Sequence, residues 1–475
     1  PPPTAHRPPS TVMTSSHRSW IPFLAAVVAL LWSVFVFGGV ADGYRTVAGV
    51  MSAVAGVICL VLLPGERRVP PHPWTLVAAM AVLLAFGWFM VINAVAEHSL
   101  VIWRFTGIEN RPFASAPGSV ARATSRRSLL EITMVCLGML GVLRACESLA
   151  WKRLVELLAA IGGLVALTGI LHKVGGAEAV YWIDDDQPSL FFAPYVYNAN
   201  AGAFMNLCFP LAFGLALARV GDEHGRAAGG FWAMVAVVTA AGVVVAASKG
   251  AIIILAISLP VLVVWNWRRF RALLGMFRSQ RGRRVERSFH VGVLAGTALL
   301  FVVIGIGVVV ARWDQFMGRF GDPEQAITGR EGIMKLMWRM TGPDEGTWHG
   351  FGPGTLRHLI PYFTVGEAGK EVSAGRWLHG HSDPLQTMVE WGWIGAAAWF
   401  VIGGGAVVCG LLLLRQHRLR VEEVPVIRGV VLALALVGLH SCVDFPLSIY
   451  SIHLAAMMLA AMCWGLLVVR KDASR

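Results

Sequence analysis

Apolar runs long enough to cross a membrane recur along almost the whole chain. About 20 apolar residues cover a bilayer's hydrocarbon core, and twelve such windows are legible, at roughly 20–40, 46–64, 74–95, 128–146, 151–171, 198–218, 229–248, 250–267, 290–311, 388–413, 427–443 and 447–469. Between Arg312 and Thr387 the pattern changes to a long polar segment. Inside it, DPEQAITGREGIMKLMWRM (Asp322–Met340) opens on Asp-Pro and places apolar residues at 327, 333, 334, 337 and 340. That spacing predicts an amphipathic helix. The expected fold is therefore an all-α polytopic membrane protein of about twelve transmembrane helices, with one large polar loop between the ninth and tenth.

Composition agrees: 56% of residues are hydrophobic and 14% charged, with a mean hydropathy of +0.63, against about 25% charged residues in soluble domains. The net charge of +12 could suggest nucleic acid, but the basic residues sit in short segments flanking apolar runs, where they set topology. Eight arginines lie between Arg268 and Arg287, four between Arg415 and Arg428, and Arg470, Lys471 and Arg475 near the end of the chain. With both termini cytoplasmic, these fall inside and the 312–387 loop falls outside. That loop is nearly neutral, with eight basic and nine acidic residues. The five arginines of 104–127 run against this topology, although the rule is weak for long loops. The first apolar run, Trp20–Val40, is longer than a signal-peptide core and reads as a retained helix. Residues 1–19, rich in Pro, Ser and Thr, read as a disordered cytoplasmic tail. All seven cysteines lie in or beside apolar runs, so no disulfide framework is expected.

An outside loop has no access to cytoplasmic nucleotide sugars or ATP, so chemistry there calls for a donor already activated on a lipid. The Asp184–Asp186 run reads as a solvated turn rather than a metal site. Candidate residues are the ionisable ones at membrane depth or at the loop's edges. Lys249 sits at a turn, Ser248-Lys249-Gly250, within an apolar stretch too long for one span; it is either a snorkelling lysine or a cation aimed at an anionic head group. His440 and Asp444, four apart, bracket the next-to-last outer turn and read first as structural. Gly350, Gly352 and Gly354 alternate, which lets backbone amides approach an anion or simply forms a turn. His381, in HGHSDPLQ (His379–Gln386), precedes a span at the height of a lipid phosphate and is suited to take a proton near neutral pH.

Taken in order, an outer S-K-G turn, T-G-R on the loop helix (Thr328–Arg330), G-x-G-x-G, and H-x-x-x-L-Q-x-x-x-E-x-G-x-x-G from His381 resemble the O-antigen ligase and O-antigen polymerase superfamily, which includes bacterial protein O-oligosaccharyltransferases. YVYNANAGAFMNLCFPLA (Tyr195–Ala212), with Asn198 in its N-x-N pattern, and LHSCVDFPL (Leu439–Leu447) are similar to flanking family segments. The resemblance covers roughly Tyr195 to Leu447. It implies a membrane glycosyltransferase of the GT-C type that moves a glycan from undecaprenyl pyrophosphate to an acceptor hydroxyl, with inversion and without a metal or other cofactor. It would act at the periplasmic face of the bacterial inner membrane, in lipopolysaccharide or exopolysaccharide synthesis. In it, Lys249 and Arg330 hold the positions of pyrophosphate-binding arginines, and His381 that of the residue acting on the acceptor hydroxyl. Gly350, Gly352, Gly354, His379, Gln386, Asn198, His440 and Asp444 are candidate supporting residues. Lys249 and Ser382 depart from the family pattern, which has arginine and asparagine there; an ammonium lacks the planar fork of a guanidinium.

The resemblance divides the chain into the tail 1–19, an N-terminal bundle 20–171 and a ligase-like domain 195–469. It leaves the acceptor open among lipid A core, a growing glycan and a protein hydroxyl. A flippase or transporter is the competing class; it predicts matched halves with broken helices, which the sequence lacks.

Overall fold

The computed structural model describes residues 20–39, 42–63, 73–99, 104–146, 150–183, 190–219, 226–278, 307, 323–342, 348–364, 377–416 and 419–472. In chain order the helices are α1 (Trp20–Phe35), α2 (Asp42–Leu62), α3 (Trp74–Ile92), α4 (Arg122–Ala145), α5 (Ala150–Val174), α6 (Asn198–Ala218) and α7 (Arg226–Val245). They continue as α8 (Lys249–Trp265), α9 (Trp267–Arg278), α10 (Pro323–Met340), α11 (Leu356–Phe363), α12 (Asp383–Arg415), α13 (Glu423–Ser441) and α14 (Tyr450–Asp472). An antiparallel hairpin, β1 (Ala96–Ser99) and β2 (Arg104–Gly107), lies between α3 and α4.

The chain is a polytopic, mainly helical membrane protein. Among the described residues nine helices are long and apolar enough to span a bilayer, and α1 and α8 are shorter apolar helices. Together these eleven fall on eleven of the twelve expected windows. The window at 290–311, apart from residue 307, lies outside the described residues, as do the tail 1–19 and Asp184–Asp186. The hairpin and α9 and α11 were not anticipated from the pattern.

α6 is the hub, with most of its span buried; a helix that is apolar all round belongs inside. It packs against α7, α8 and α13. Its closest approach to α13 depends on Gly429, where a Cβ would come within 2.3 Å of the Pro210 carbonyl oxygen. Small residues let helix backbones meet this closely in a membrane, where packing rather than water drives association.

The two ends of the bundle differ in charge. At one end Lys152 and Arg470 pair with the buried Glu423 at 3.1 and 3.0 Å, and Arg428 donates to the Trp265 carbonyl at the C-terminus of α8. The other end carries the first residue of α8, the start of α12 and the turn between α13 and α14. Here α10, α11 and the hairpin form a cap with its own small core of Ile333, Leu336, Met337, Met340, Leu356, Leu359, Ile360 and Val389. The expected apolar face of α10 is thus the buried one at 333, 337 and 340, with Met334 partly buried. The side chain at 327 is outside the described set.

Candidate functional site

Lys249 is placed by its neighbours on α6. The chain reverses after α7 through Ala247, whose φ is +53°, and Ser248 caps α8 by accepting from the Ala251 amide at 3.4 Å. Asn198 donates to the Ala246 carbonyl at 2.6 Å and Asn206 to that of Ala251 at 2.8 Å. The reversal therefore closes one residue before the expected Ser-Lys-Gly turn, and Lys249 is the first helical residue. Gly250 leaves room for α13: a Cβ there would lie 3.1 Å from His440 Nε2.

α13 ends at Ser441, yet His440 and Asp444 still meet. The Asp444 amide donates to the His440 carbonyl at 3.0 Å, and Asp444 Oδ2 stands 4.0 Å from His440 Nε2. Its other oxygen, Oδ1, faces His381 Nδ1 at 3.4 Å. That is longer than a charge-assisted hydrogen bond of about 2.7–2.9 Å, so the contact is an electrostatic pair with open geometry. Burial pushes the Asp444 carboxyl up, but the His381 imidazole and the charges of His440 and Arg330 more than offset it and hold the group below the usual carboxylate range.

Arg330 reaches this cluster from α10. Positions 330, 333 and 337 share one helical face, so the arginine follows the buried stripe and is half-buried rather than solvated. Met337 on that stripe covers Gly380, where a Cβ would fall 2.2 Å from its sulfur. The cap therefore rests directly on the segment preceding His381. Arg330's charge acts on both His440 and Asp444, and it makes no ion pair among the described residues.

His381 itself adopts φ +55°, an uncommon region for a non-glycine residue. Rings hold it there: Trp377 meets it edge-on at 5.4 Å and Phe445 at 5.0 Å, while Phe445 stacks on His379 at 4.6 Å. Asp383 supplies the polar anchor. Its carboxylate accepts the Leu447 amide at 2.7 Å and the Ser448 hydroxyl at 2.6 Å, clamping the start of α12 to the turn that bears Asp444. Pro384 fits the first turn of α12, where its missing N–H has no partner to lose.

The glycine loop is part of the same frame rather than an open amide nest. Gly352 donates to the Glu390 carbonyl at 2.8 Å and Gly354 to the Glu390 carboxylate at 2.8 Å. Gln386 donates to that carboxylate at 3.0 Å and accepts from Gly380 at 3.2 Å. Gly392, with φ +61° and ψ −169°, breaks α12; a Cβ on it would lie 2.3 Å from His349's carbonyl carbon. The amides of Gly352 and Gly354 are thus both taken up by Glu390, which fits the second of the two sequence readings, a turn.

The structure brings Lys249's helix start, Arg330, His381, His440 and Asp444 together at one end of the bundle. Asn198 and Gln386 act one step removed, by fixing the turn before Lys249 and the segment before His381. His379 turns away from the cluster into a separate cavity of about 1100 Å³, also lined by Arg45, Glu131, Arg357, Asp383 and Glu390. Burial, with Arg45 and Arg357 nearby, lowers the His379 imidazole to about 3. Sequence reasoning missed Asp383, Glu390, Arg45 and Arg357. Glu390 stood in the quoted motif, spaced i,i+4 from Gln386, and that spacing was the available signal.

Residues 234–400 match the family model described as O-antigen ligase, which supports the O-antigen ligase and polymerase superfamily for this chain. Lys249, Arg330, the glycine loop and His381 lie inside the matched segment; Asn198, His440 and Asp444 lie outside it. Members of that family are membrane ligases and polymerases of the glycosyltransferase kind. No curated protein matches the chain.

Proposed function

We propose that the chain is a GT-C-type membrane glycosyltransferase that moves a glycan from undecaprenyl pyrophosphate to an acceptor hydroxyl on the periplasmic side of the inner membrane. The observation carrying this reading is that Asp444 contacts His381 while Arg330, from a different element, acts on the same carboxylate. A proton acceptor and an anion-stabilising cation thus share one centre.

In this reading the acceptor oxygen attacks the anomeric carbon and forms the new glycosidic bond. The bond from that carbon to the pyrophosphate oxygen breaks, and its electron pair leaves with the pyrophosphate. The configuration inverts. His381 faces Asp444 through Nδ1, which assigns the proton there and leaves Nε2 to take the hydroxyl proton. Lys249 and Arg330 balance the charge that grows on the departing pyrophosphate, the kind of preorganised term that dominates many enzymes' rate enhancement. Lys249 acts as a point charge at a helix N-terminus, which itself favours anions. The reaction needs no metal, because these groups supply the positive charge.

The sidedness follows from the arginine-rich end of the bundle, which the positive-inside rule places in the cytoplasm with the termini. The polar loop and the clustered residues then fall outside. Transfer from purified undecaprenyl-pyrophosphate glycan to lipid A core, glycan and protein acceptors tests this function and separates its three forms. A flippase would instead move the lipid-linked glycan across a vesicle without any new bond.

A further inference from the structure

At the arginine-rich end of the bundle a second helix restarts within one residue of the end of α8. Asn266 makes the break, with φ −112° and ψ +22°, and α9 begins at Trp267. The Asn266 amide donates to the Leu262 carbonyl at 3.0 Å, and its own carbonyl accepts the Arg269 and Phe270 amides, both at 2.9 Å. Two side chains then fix α9 against the bundle. Arg269 donates to the Leu217 carbonyl at 2.9 Å and to the Val421 carbonyl at 2.7 Å. Phe270 stacks on Phe213 of α6, with ring centroids 6.1 Å apart.

What these contacts leave over is basic. Arg268 and Arg271, one helical turn apart, are exposed, and neither meets a carboxylate among the described residues. Just before them, Val264 in the last turn of α8 is 74% exposed and Trp267 is 50% exposed. An apolar surface therefore gives way to a basic one within about one turn, with a tryptophan at the boundary. Tryptophan at such a boundary marks the level of the lipid head groups. The sequence continues the pattern: apolar residues at 267, 270, 273, 274 and 277 keep the spacing of one helical face. Eight arginines fall between Arg268 and Arg287 against one acid, Glu286. Helices that pair an apolar face with a basic one lie in the bilayer interface, and basic clusters beside a span attract anionic head groups.

We propose that α9 is a membrane-surface helix that binds anionic phospholipid head groups of the leaflet in which α8 ends, through Arg268 and Arg271. Their place favours phospholipid over an acidic protein. Both follow Val264 and Trp267 within about two turns, so the guanidinium groups stand at the edge of the span itself. Arg269 meanwhile ties the helix to the end of α6 and to the segment before α13. With the orientation proposed above, the leaflet is the cytoplasmic one; the contact itself does not depend on that orientation.

The test is hydrogen exchange over 267–278 in the full chain, held in nanodiscs of phosphatidylcholine alone or of phosphatidylcholine with phosphatidylglycerol. Both leaflets of a nanodisc carry the same lipids, so the result depends neither on orientation nor on the transfer reaction. Exchange over α9 slows when phosphatidylglycerol is present, and about 0.5 M salt reverses the slowing by screening. The paired variant Arg268→Gln with Arg271→Gln reduces the slowing about tenfold or more, since one basic residue near an anionic surface contributes about fivefold. Arg126→Gln, exposed at the cap end, leaves it unchanged. Equal exchange in the two membranes, or slowing that survives in the paired variant, overturns the proposal. Equal slowing by inorganic phosphate in phosphatidylcholine overturns a lipid occupant. Slowing by polyglutamate but not by phosphatidylglycerol overturns it in favour of an acidic protein.

Discussion

Asp444 Oδ1 lies 3.4 Å from His381 Nδ1, joining the turn after α13 to the segment before α12. A carboxylate beside an imidazole orients the ring and favours a proton on the nitrogen that faces it. Asp444→Asn keeps the shape and removes the charge, and should lower kcat about 10²-fold, within the usual range for general acid–base catalysis. Donor KM should stay within about twofold, since the donor's cations are untouched. The pH–rate profile at saturating donor distinguishes this from a folding defect, which would reduce the active fraction and leave each active molecule's pH profile unchanged.

Asp383 is a positioning residue, acting on His381 through its hold on Leu447 and Ser448. Asp383→Ala releases that clamp, and Asp383→Asn retains one carbonyl acceptor. Transfer should fall strongly in the alanine variant and recover in part with asparagine. A purely structural role would lower thermal stability in step with activity. The account predicts instead that a shift in the pH–rate profile accompanies the alanine change.

Glu390 should matter for stability of the cap more than for chemistry. Glu390→Ala leaves the Gly354 amide and the Gln386 side chain without their acceptor. A buried polar group left unsatisfied costs about 1–3 kcal/mol. The expected signature is a lower melting midpoint together with faster hydrogen exchange over 350–357. Exchange there that matches the wild type would show that the loop is held by other means.

Acid sensitivity follows from His379. Its imidazole is lowered to about 3 by burial and by Arg45 and Arg357, against about 6.5 in an unfolded chain. Between those values the unfolded state binds a proton that the folded state refuses, so stability rises with pH. His358, lowered to about 4 by burial and by His98 and Arg357, adds to the same trend. The melting midpoint should therefore drop as pH falls from 6.5 towards 4. His379→Phe, which keeps the stack on Phe445, should flatten that drop.

The spans were legible because each needs only a local run of apolar residues. α10 was legible from its Asp-Pro start and from the spacing of Ile333, Met337 and Met340. The hairpin was not, since AEHS and RFTG show little alternation and become a sheet only by packing on α11, where His98 meets His358 at 4.2 Å. Arg330 and His381 could be named from motifs in order. Asp444 could be named too, but not its contact with His381, which is made through a turn that Asp383 clamps and that no local pattern encodes. The same holds for the glycine loop, whose φ requirements were readable but whose amides were claimed by Glu390 from another helix. Arg45 and Arg357, far apart in sequence, come together only in the cavity they both line.

The most direct test of the central claim is transfer in vitro by the purified full chain, with undecaprenyl-pyrophosphate glycan as donor and lipid A core, glycan and protein acceptors offered in parallel. The account predicts transfer to one acceptor class. Arg330→Ala and Lys249→Ala should lower the rate about 10²–10³-fold, as expected for losing a charge-stabilising group, and His381→Ala should abolish it while the protein still inserts. Normal transfer by Arg330→Ala or His381→Ala would contradict the site, and donor movement across the bilayer with no glycosidic bond formed would contradict the function.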